Sequence, residues 1–371
     1  MKKFTIYLAV ALVALPAITQ AKVWRVNNNA AVVADFTTLD DALTASYANG
    51  DTIYLEPSAT AYTATGNYIY GGTNTIVTIV GNGYNLDKHP GLQQDTMRSM
   101  IRSTSSNILV RSFIKFIGIV FNSAISMSPL IDVSNNYYPI DNVFFESCNF
   151  KNDVSYSTSF AYAHSIKSLH FTKNLCEGAV KIITTSPVTT TDFLFENNIL
   201  FGNLETGSLV QNTGDVKQRI IRNNVIAAAF NCNYAYLANN IFPNYNENVS
   251  GVTITSPVSN CFLKNNIFRL RRAENISSVE INNLYSIDMT TVFRTDGGTV
   301  EKVYQLSAGS PAIGAGIPNG STPVDCGAFG GPNPYKLSGI PAIPAIYELQ
   351  VPLAASPLTD MLINLKARSN N

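Results

Sequence analysis

The chain has 371 residues with 25 basic and 25 acidic side chains, and so carries no formal net charge at neutral pH. That balance excludes the basic surface of a nucleic-acid binder. A composition of 46% hydrophobic and 13% charged residues excludes a disordered chain and fits one with a long, continuous core.

The first element is "MKKFTIYLAVALVALPAITQA", with Lys2 and Lys3, an apolar run from Phe4 to Ile18 and a Thr19-Gln20-Ala21 site. This pattern predicts a secretory signal cleaved near Ala21, because the run falls short of the ~20 apolar residues that span a bilayer. Export to the medium or to the cell surface is the localisation it implies. No other segment qualifies as a transmembrane helix.

Next, "DFTTLDDALTASYANGDTIYLEPS" predicts a short amphipathic helix and a strand. Phe36, Leu39, Leu43 and Tyr47 share one helical face, Thr37 or Thr38 can cap with Asp40 or Asp41, and Gly50 suits the stop. An element of this kind suits the end of a stack of strands.

From residue 114 onward one eight-residue frame recurs: "IKFIGIVF" (114–121), "VFFESCNF" (143–150), "LHFTKNLC" (169–176), "FLFENNIL" (193–200), "RIIRNNVI" (219–226), "AYLANNIF" (235–242) and "CFLKNNIF" (261–268). Positions one and three are apolar in most copies, the period-two mark of a strand with one buried face. Position six reads Ile119, Cys148, Asn174, Asn198, Asn224, Asn240 and Asn266. Asparagine tolerates the left-handed backbone region and bonds locally, so it marks a bend. A period near two dozen residues means stacked repeats, none of which buries its apolar side alone. The predicted fold is therefore all-β: a right-handed parallel β-helix, with Asn174, Asn198, Asn224, Asn240 and Asn266 as a ladder of stacked amides. Two spacings are short, Asn224 to Asn240 and Asn266 to Asn283. Either those copies lie on another face or the coils shrink there.

The resulting division is a signal at 1–21, an N-terminal cap of helix and first strand at 22–57, coils at 58–305, and a C-terminal cap and tail at 306–371. Within the last, "PYKLSGIPAIPAIYELQVP" mixes proline-spaced turns with strand-like runs and is expected against the last coil. The five cysteines, Cys148, Cys176, Cys232, Cys261 and Cys326, have no C-x-x-C spacing, which argues against zinc. They read best as small core residues, with a disulfide left open for an oxidising compartment.

Taken together, "FTTLDDAL", "GDTIYLEP", "TIVGNGYN", the "ENNI" and "RNNVI" coils, and "SPAIGAG" with "GAFGG" resemble secreted right-handed parallel β-helix proteins of the pectin-lyase-like superfamily, in particular a bacterial, Bacteroidetes-like branch. The resemblance runs over most of residues 23–350. It implies the fold more than an activity, because this architecture hosts lyases, hydrolases, adhesins and non-catalytic surface proteins. In its lyases calcium sits between clustered carboxylates beside an arginine or lysine base, and in its hydrolases aspartates are grouped.

Against those chemistries, position four reads Glu146, Thr172, Glu196, Arg222, Ala238 and Lys264. Glu146 and Glu196 stand two coils apart, at or beyond the reach of an inverting pair. Arg222, one coil from Glu196, favours a charged carboxylate rather than a general acid. A solvated charge ladder is the simpler expectation. Asp215, in "NTGDVKQRI", is faintly similar to a hydrolase aspartate segment but lacks its partner aspartates. His164 and His170 flank one coil, His170 outward, while His89 is remote; surface roles are expected rather than a metal site. Arg269, Arg271 and Arg272 form a basic patch suited to an anionic polysaccharide. Tyrosines at 137, 138, 156, 162, 234, 236 and 245 are core or rim residues, or sugar-stacking platforms. These residues favour a non-catalytic secreted or surface protein that binds a polysaccharide, matrix component or protein partner along its face, with no cofactor. The alternative is a lyase or glycoside hydrolase acting on acidic glycans such as pectin, with Ca2+ if a lyase.

Overall fold

The structure is a computed structural model that describes residues 21–46, 50–65, 69–72, 75–86, 97–104, 107–127, 130–131, 137–138, 140–158, 164–184, 188–206, 209–210, 219–244, 260–270, 278–342, 344–352 and 361–368. Tyr47, Asp215, Arg271, Arg272, His89, Tyr162, Tyr245 and the signal segment through Gln20 lie outside the described residues.

Three parallel sheets, of 12, nine and six strands, build a β-solenoid. The first sheet takes one strand per coil in sequence order, including Ile114–Ile117, Val143–Glu146, His164–Thr172, Val188–Glu196, Arg219–Arg222, Tyr236–Ala238, Phe262–Lys264 and Val279–Ile281. The second collects the ends of the frame, such as Asn149–Phe150, Ile199–Leu200 and Ile267–Phe268. The third runs from Asn107–Val110 to Phe230–Cys232.

The frame predicted from the sequence is the observed register. Phe116, Phe145, Phe171, Phe195, Ile221, Leu237 and Leu263 lie one above another, all fully buried. Coil spacing near 4.8 Å brings like rings into contact. Phe116 and Phe145 stack at 5.3 Å, Phe145 and Phe171 at 5.1 Å, and Phe242 and Phe268 at 4.7 Å.

The paired asparagines divide two tasks between them. Position five takes the left-handed conformation in coil after coil: Gly118, Ser147, Lys173, Asn197, Asn223, Asn239, Asn265 and Asn282 all have φ between 51° and 65°. That conformation turns the first sheet into the second, and asparagine tolerates it better than most residues. Position six forms the ladder. Asn174 Nδ2 donates to Asn198 Oδ1 at 3.0 Å, Asn198 to Asn224 at 3.0 Å, Asn224 to Asn240 at 2.9 Å and Asn240 to Asn266 at 3.0 Å. Asn283 extends it by one rung, accepting from Asn266 Nδ2 at 3.0 Å. Each amide also donates to a backbone carbonyl, as Asn198 does to Phe171 O at 2.9 Å, and accepts from a backbone N–H, as Asn198 does from Asn174 at 2.9 Å. At the foot of the ladder Cys148 contributes its backbone N–H to Asn174 Oδ1 at 2.9 Å.

The short spacing from Asn224 to Asn240 is a contracted coil on the same face. It keeps a strand in each sheet, Val225–Ile226, Phe230–Cys232 and Tyr236–Ala238, with only residues 233–235 joining the third sheet to the first. Tyr234, at φ 52°, makes that turn. Asn266 and Asn283 are likewise joined by the ladder, so here too the coil contracts.

The predicted helix occupies Leu39–Ser46 and packs on the first strands, with Leu39, Ala42 and Leu43 in the core. Thr38 Oγ1 accepts from the Asp41 N–H at 3.2 Å, as an N-cap does, and donates to the Asp41 carboxylate at 2.6 Å.

The C-terminal segment lies along the flank of the solenoid, from the late coils back to the early ones, and uses the position-five column as its track. Asn265 Nδ2 donates to Ala315 O at 2.7 Å, and Asn239 Oδ1 accepts from the Ile317 N–H at 2.9 Å. Asn197 Nδ2 donates to Ala328 O at 2.8 Å and Gly330 O at 2.7 Å, and Lys173 Nζ reaches Asn333 Oδ1 at 2.9 Å. The stretch after Pro334, expected against the last coil, therefore meets the first ones instead: Tyr84 donates its N–H to Ser338 O at 2.8 Å. Glu301, fully buried, accepts from Asn85 Nδ2 at 3.1 Å, from the Ser338 N–H at 3.1 Å and from the Tyr335 hydroxyl, which also bonds the Tyr84 hydroxyl. Gly339, at φ 55°, has no room for a Cβ against the Tyr84 ring. The strands Ala345–Gln350 and Asn364–Arg368 pair antiparallel with each other.

This strap explains why positions seven and eight are both apolar in most copies, Asn149 being the exception at position seven. Phe150, Leu200, Ile226, Phe242 and Phe268 face the interior, while Leu175, Ile199, Val225, Ile241 and Ile267 face outward into a second core with Val292, Ala312, Cys326, Ala328 and Tyr335.

Candidate functional site

The three sheets expose different outer rows. In the third, the row from Ser126 through Ser155, Lys181 and Glu205 to Asn231 is polar. In the second, the outward row is apolar and covered by the strap. In the first, position two places Phe144, His170, Leu194, Ile220, Tyr236 and Phe262 in one outward row, one side chain per coil, each half-buried. Among the described residues no hydrophobic cluster forms over this row. Tyr236 and Phe262 stack at 5.5 Å, and the Phe144 ring meets His170 edge-on at 5.0 Å.

Beside it runs the position-four row, where charges come in compensated sets. Glu146 lies between Lys115 Nζ at 2.9 Å and Lys173 Nζ at 3.0 Å. Burial alone disfavours its charge, but the hydrogen bonds and charges of the two lysines outweigh that, so its carboxyl titrates below the ordinary range. Glu196 pairs with Arg222 Nε at 2.6 Å across one coil, and its side chain is only 8% exposed. It is thus covered rather than solvated. Glu146 and Glu196 stand in register two coils apart, separated by Thr172, each with its own cationic partner. The lowered carboxyl of Glu146 is the opposite of what a general acid needs.

A cluster not foreseen in the sequence sits at the edge of the same face. Ser168 and Asp192 are register neighbours, and His170 Nε2 lies 2.7 Å from Asp192 Oδ2 and 3.5 Å from Ser168 Oγ. The three residue types are those of a nucleophilic triad, but hydroxyl and carboxylate approach the same ring nitrogen. The imidazole therefore cannot hold one partner by each nitrogen, as a relay requires. What the cluster offers is a carboxylate with a 52%-exposed side chain, an imidazole and a hydroxyl beside the Phe144 ring.

The remaining candidates are dispersed. Arg269 is exposed on the turn after the Ile267–Phe268 strand, and the side chain of Arg222 serves Glu196. Tyr156 is buried in the core, Tyr234 makes a turn, and of the tyrosines considered Tyr236 alone joins the open row among those whose side chains are described. His164 lies at the start of the His164–Thr172 strand, six residues before His170. Among the described residues no group of three His, Cys, Asp or Glu side chains converges as a metal-ligand set. Comparison of the chain with known protein families, with curated proteins and with solved structures gives no match.

Proposed function

We propose that this chain is a secreted or cell-surface β-helix protein of pectin-lyase-like architecture that binds a polysaccharide along the outer face of its first sheet, without catalysing its cleavage. The observation that carries this reading is the row Phe144, His170, Leu194, Ile220, Tyr236 and Phe262, over which no hydrophobic cluster forms among the described residues. One apolar or aromatic side chain recurs at each of these six coils, which suits a linear ligand whose units also repeat, and the stacked Tyr236 and Phe262 rings offer it an aromatic edge. The paired charges alongside and the Ser168–His170–Asp192 cluster provide hydrogen bonds to hydroxyl groups. A non-catalytic role is favoured by the state of the carboxylates, since Glu146 and Glu196 are each held by cations.

The test is a panel of neutral and acidic polysaccharides, including pectin and alginate, run in affinity electrophoresis with the purified chain. Retardation by at least one of them without release of reducing or unsaturated sugars is expected. Release of such products would replace the reading by that of a lyase or hydrolase, and indifference to every polysaccharide would leave a protein partner as the ligand of this face.

A further inference from the structure

The first inward column of the first sheet changes character partway along the solenoid. Ile114, Val143, Leu169 and Phe193 are followed by Arg219, Ala235 and Cys261. Arg219 is 2% exposed, a guanidinium set within the core. Next to it, across the corner between the third and first sheets, the Cys232 and Cys261 sulfurs stand 3.4 Å apart, one on Phe230–Cys232 and the other just before Phe262–Lys264. Burial disfavours the charge of Arg219, whereas Cys261, Cys232 and Tyr234 act in the opposite sense, so the guanidinium and the two sulfurs share one microenvironment. Cys148 and Cys326 are each pushed up to about 12 by burial, and Cys176 is raised for the same reason.

We propose that Cys232 and Cys261 form a disulfide when the chain folds in the presence of a small-molecule disulfide such as oxidised glutathione. One cysteine thiolate attacks the oxidant, forming a mixed disulfide and releasing one glutathione thiolate. The second cysteine, losing its proton to solvent, then attacks the first cysteine sulfur. The Cys232–Cys261 bond forms, the mixed disulfide breaks and the second glutathione thiol leaves, so that two cysteines are oxidised and one glutathione disulfide is reduced to two thiols. Because Cys232 is fully buried and Cys261 is 2% exposed, the exchange belongs to the folding chain, and the finished bond is shielded from reductants. It closes residues 233–260 into a loop and fastens the contracted coil to the next one.

Refolding the unmodified chain from denaturant in a glutathione redox buffer, followed by alkylation under denaturing conditions and peptide mapping, tests the proposal. Three alkylated cysteines and a cross-linked peptide pair containing Cys232 and Cys261 are expected, with a Tm roughly 5 °C above that of chain refolded under reducing conditions. Oxidation in concentrated guanidinium is the control and should give a mixture of pairings. Five alkylated cysteines after refolding in the redox buffer, or the same mixture of pairings as the unfolded control, would overturn the proposal.

Discussion

The outer faces of the first and second sheets are built from similar letters and meet different fates. Ile220 and Ile241 are the same residue type on strands of successive coils, yet Ile220 is half-buried on the first-sheet face whereas Ile241 is fully buried beneath the strap. The difference does not lie in the strands. It lies in position five, whose asparagines turn toward the second sheet and present amides that the strap's carbonyls bond, as Asn197 does for Ala328 and Gly330. The apolar row beside such anchors is sealed by the strap, whereas over the first-sheet row no hydrophobic cluster forms among the described residues.

The largest expected effect comes from the ladder, which supports both faces. Asn198→Ala leaves the Asn174 backbone N–H and side-chain amide without their acceptor and Phe171 O without its donor. A loss of about 4 kcal/mol in chemical denaturation is expected. Next, Ile241→Ala should cost about 3 kcal/mol and Ile220→Ala about 1 kcal/mol, because only the first opens a cavity in closed packing. Equal losses would break the distinction between the faces. Asn197→Gly keeps the left-handed backbone but removes two hydrogen bonds to the strap. It should cost about 2 kcal/mol and raise amide exchange selectively near residues 325–335. The smallest effect belongs to the open face: Glu146→Gln should cost about 1 kcal/mol at neutral pH. Because the folded carboxyl titrates below its ordinary 4.5, that stabilisation is complete above 4.5 and disappears as pH falls through the lower folded value. Wild type and variant should therefore converge in stability in strong acid.

Much of the solenoid was legible in the sequence because stacking puts like above like, so the register of Phe145, Phe171 and Phe195 appears as plain letter repetition. The ladder was legible for the same reason. Its division of labour was not, since Asn197 and Asn198 are one letter and differ only in backbone conformation and partner. The strap also escaped, because the contacts of Tyr84 with Tyr335 and Ser338 join residues some 250 positions apart and leave no period. The contracted coil at 224–240 is not legible in the spacing alone, because it depends on Tyr234 turning the chain between two sheets in three residues. Ser168, His170 and Asp192 meet because one coil's strand registers on the next; the frame that sets 169 over 193 already sets Ser168 over Asp192, but this trio occurs once and leaves no repeating letter to mark it.

The central claim is that the open face of the first sheet is the one that takes a ligand, and paired variants test it most directly. The binding of Tyr236→Ser/Phe262→Ser to whichever polysaccharide retards the wild type should be compared with that of Lys181→Ser, on the polar third sheet. At least a tenfold loss for the first and unchanged affinity for the second is predicted. Equal affinity in both variants would contradict the assignment of the face.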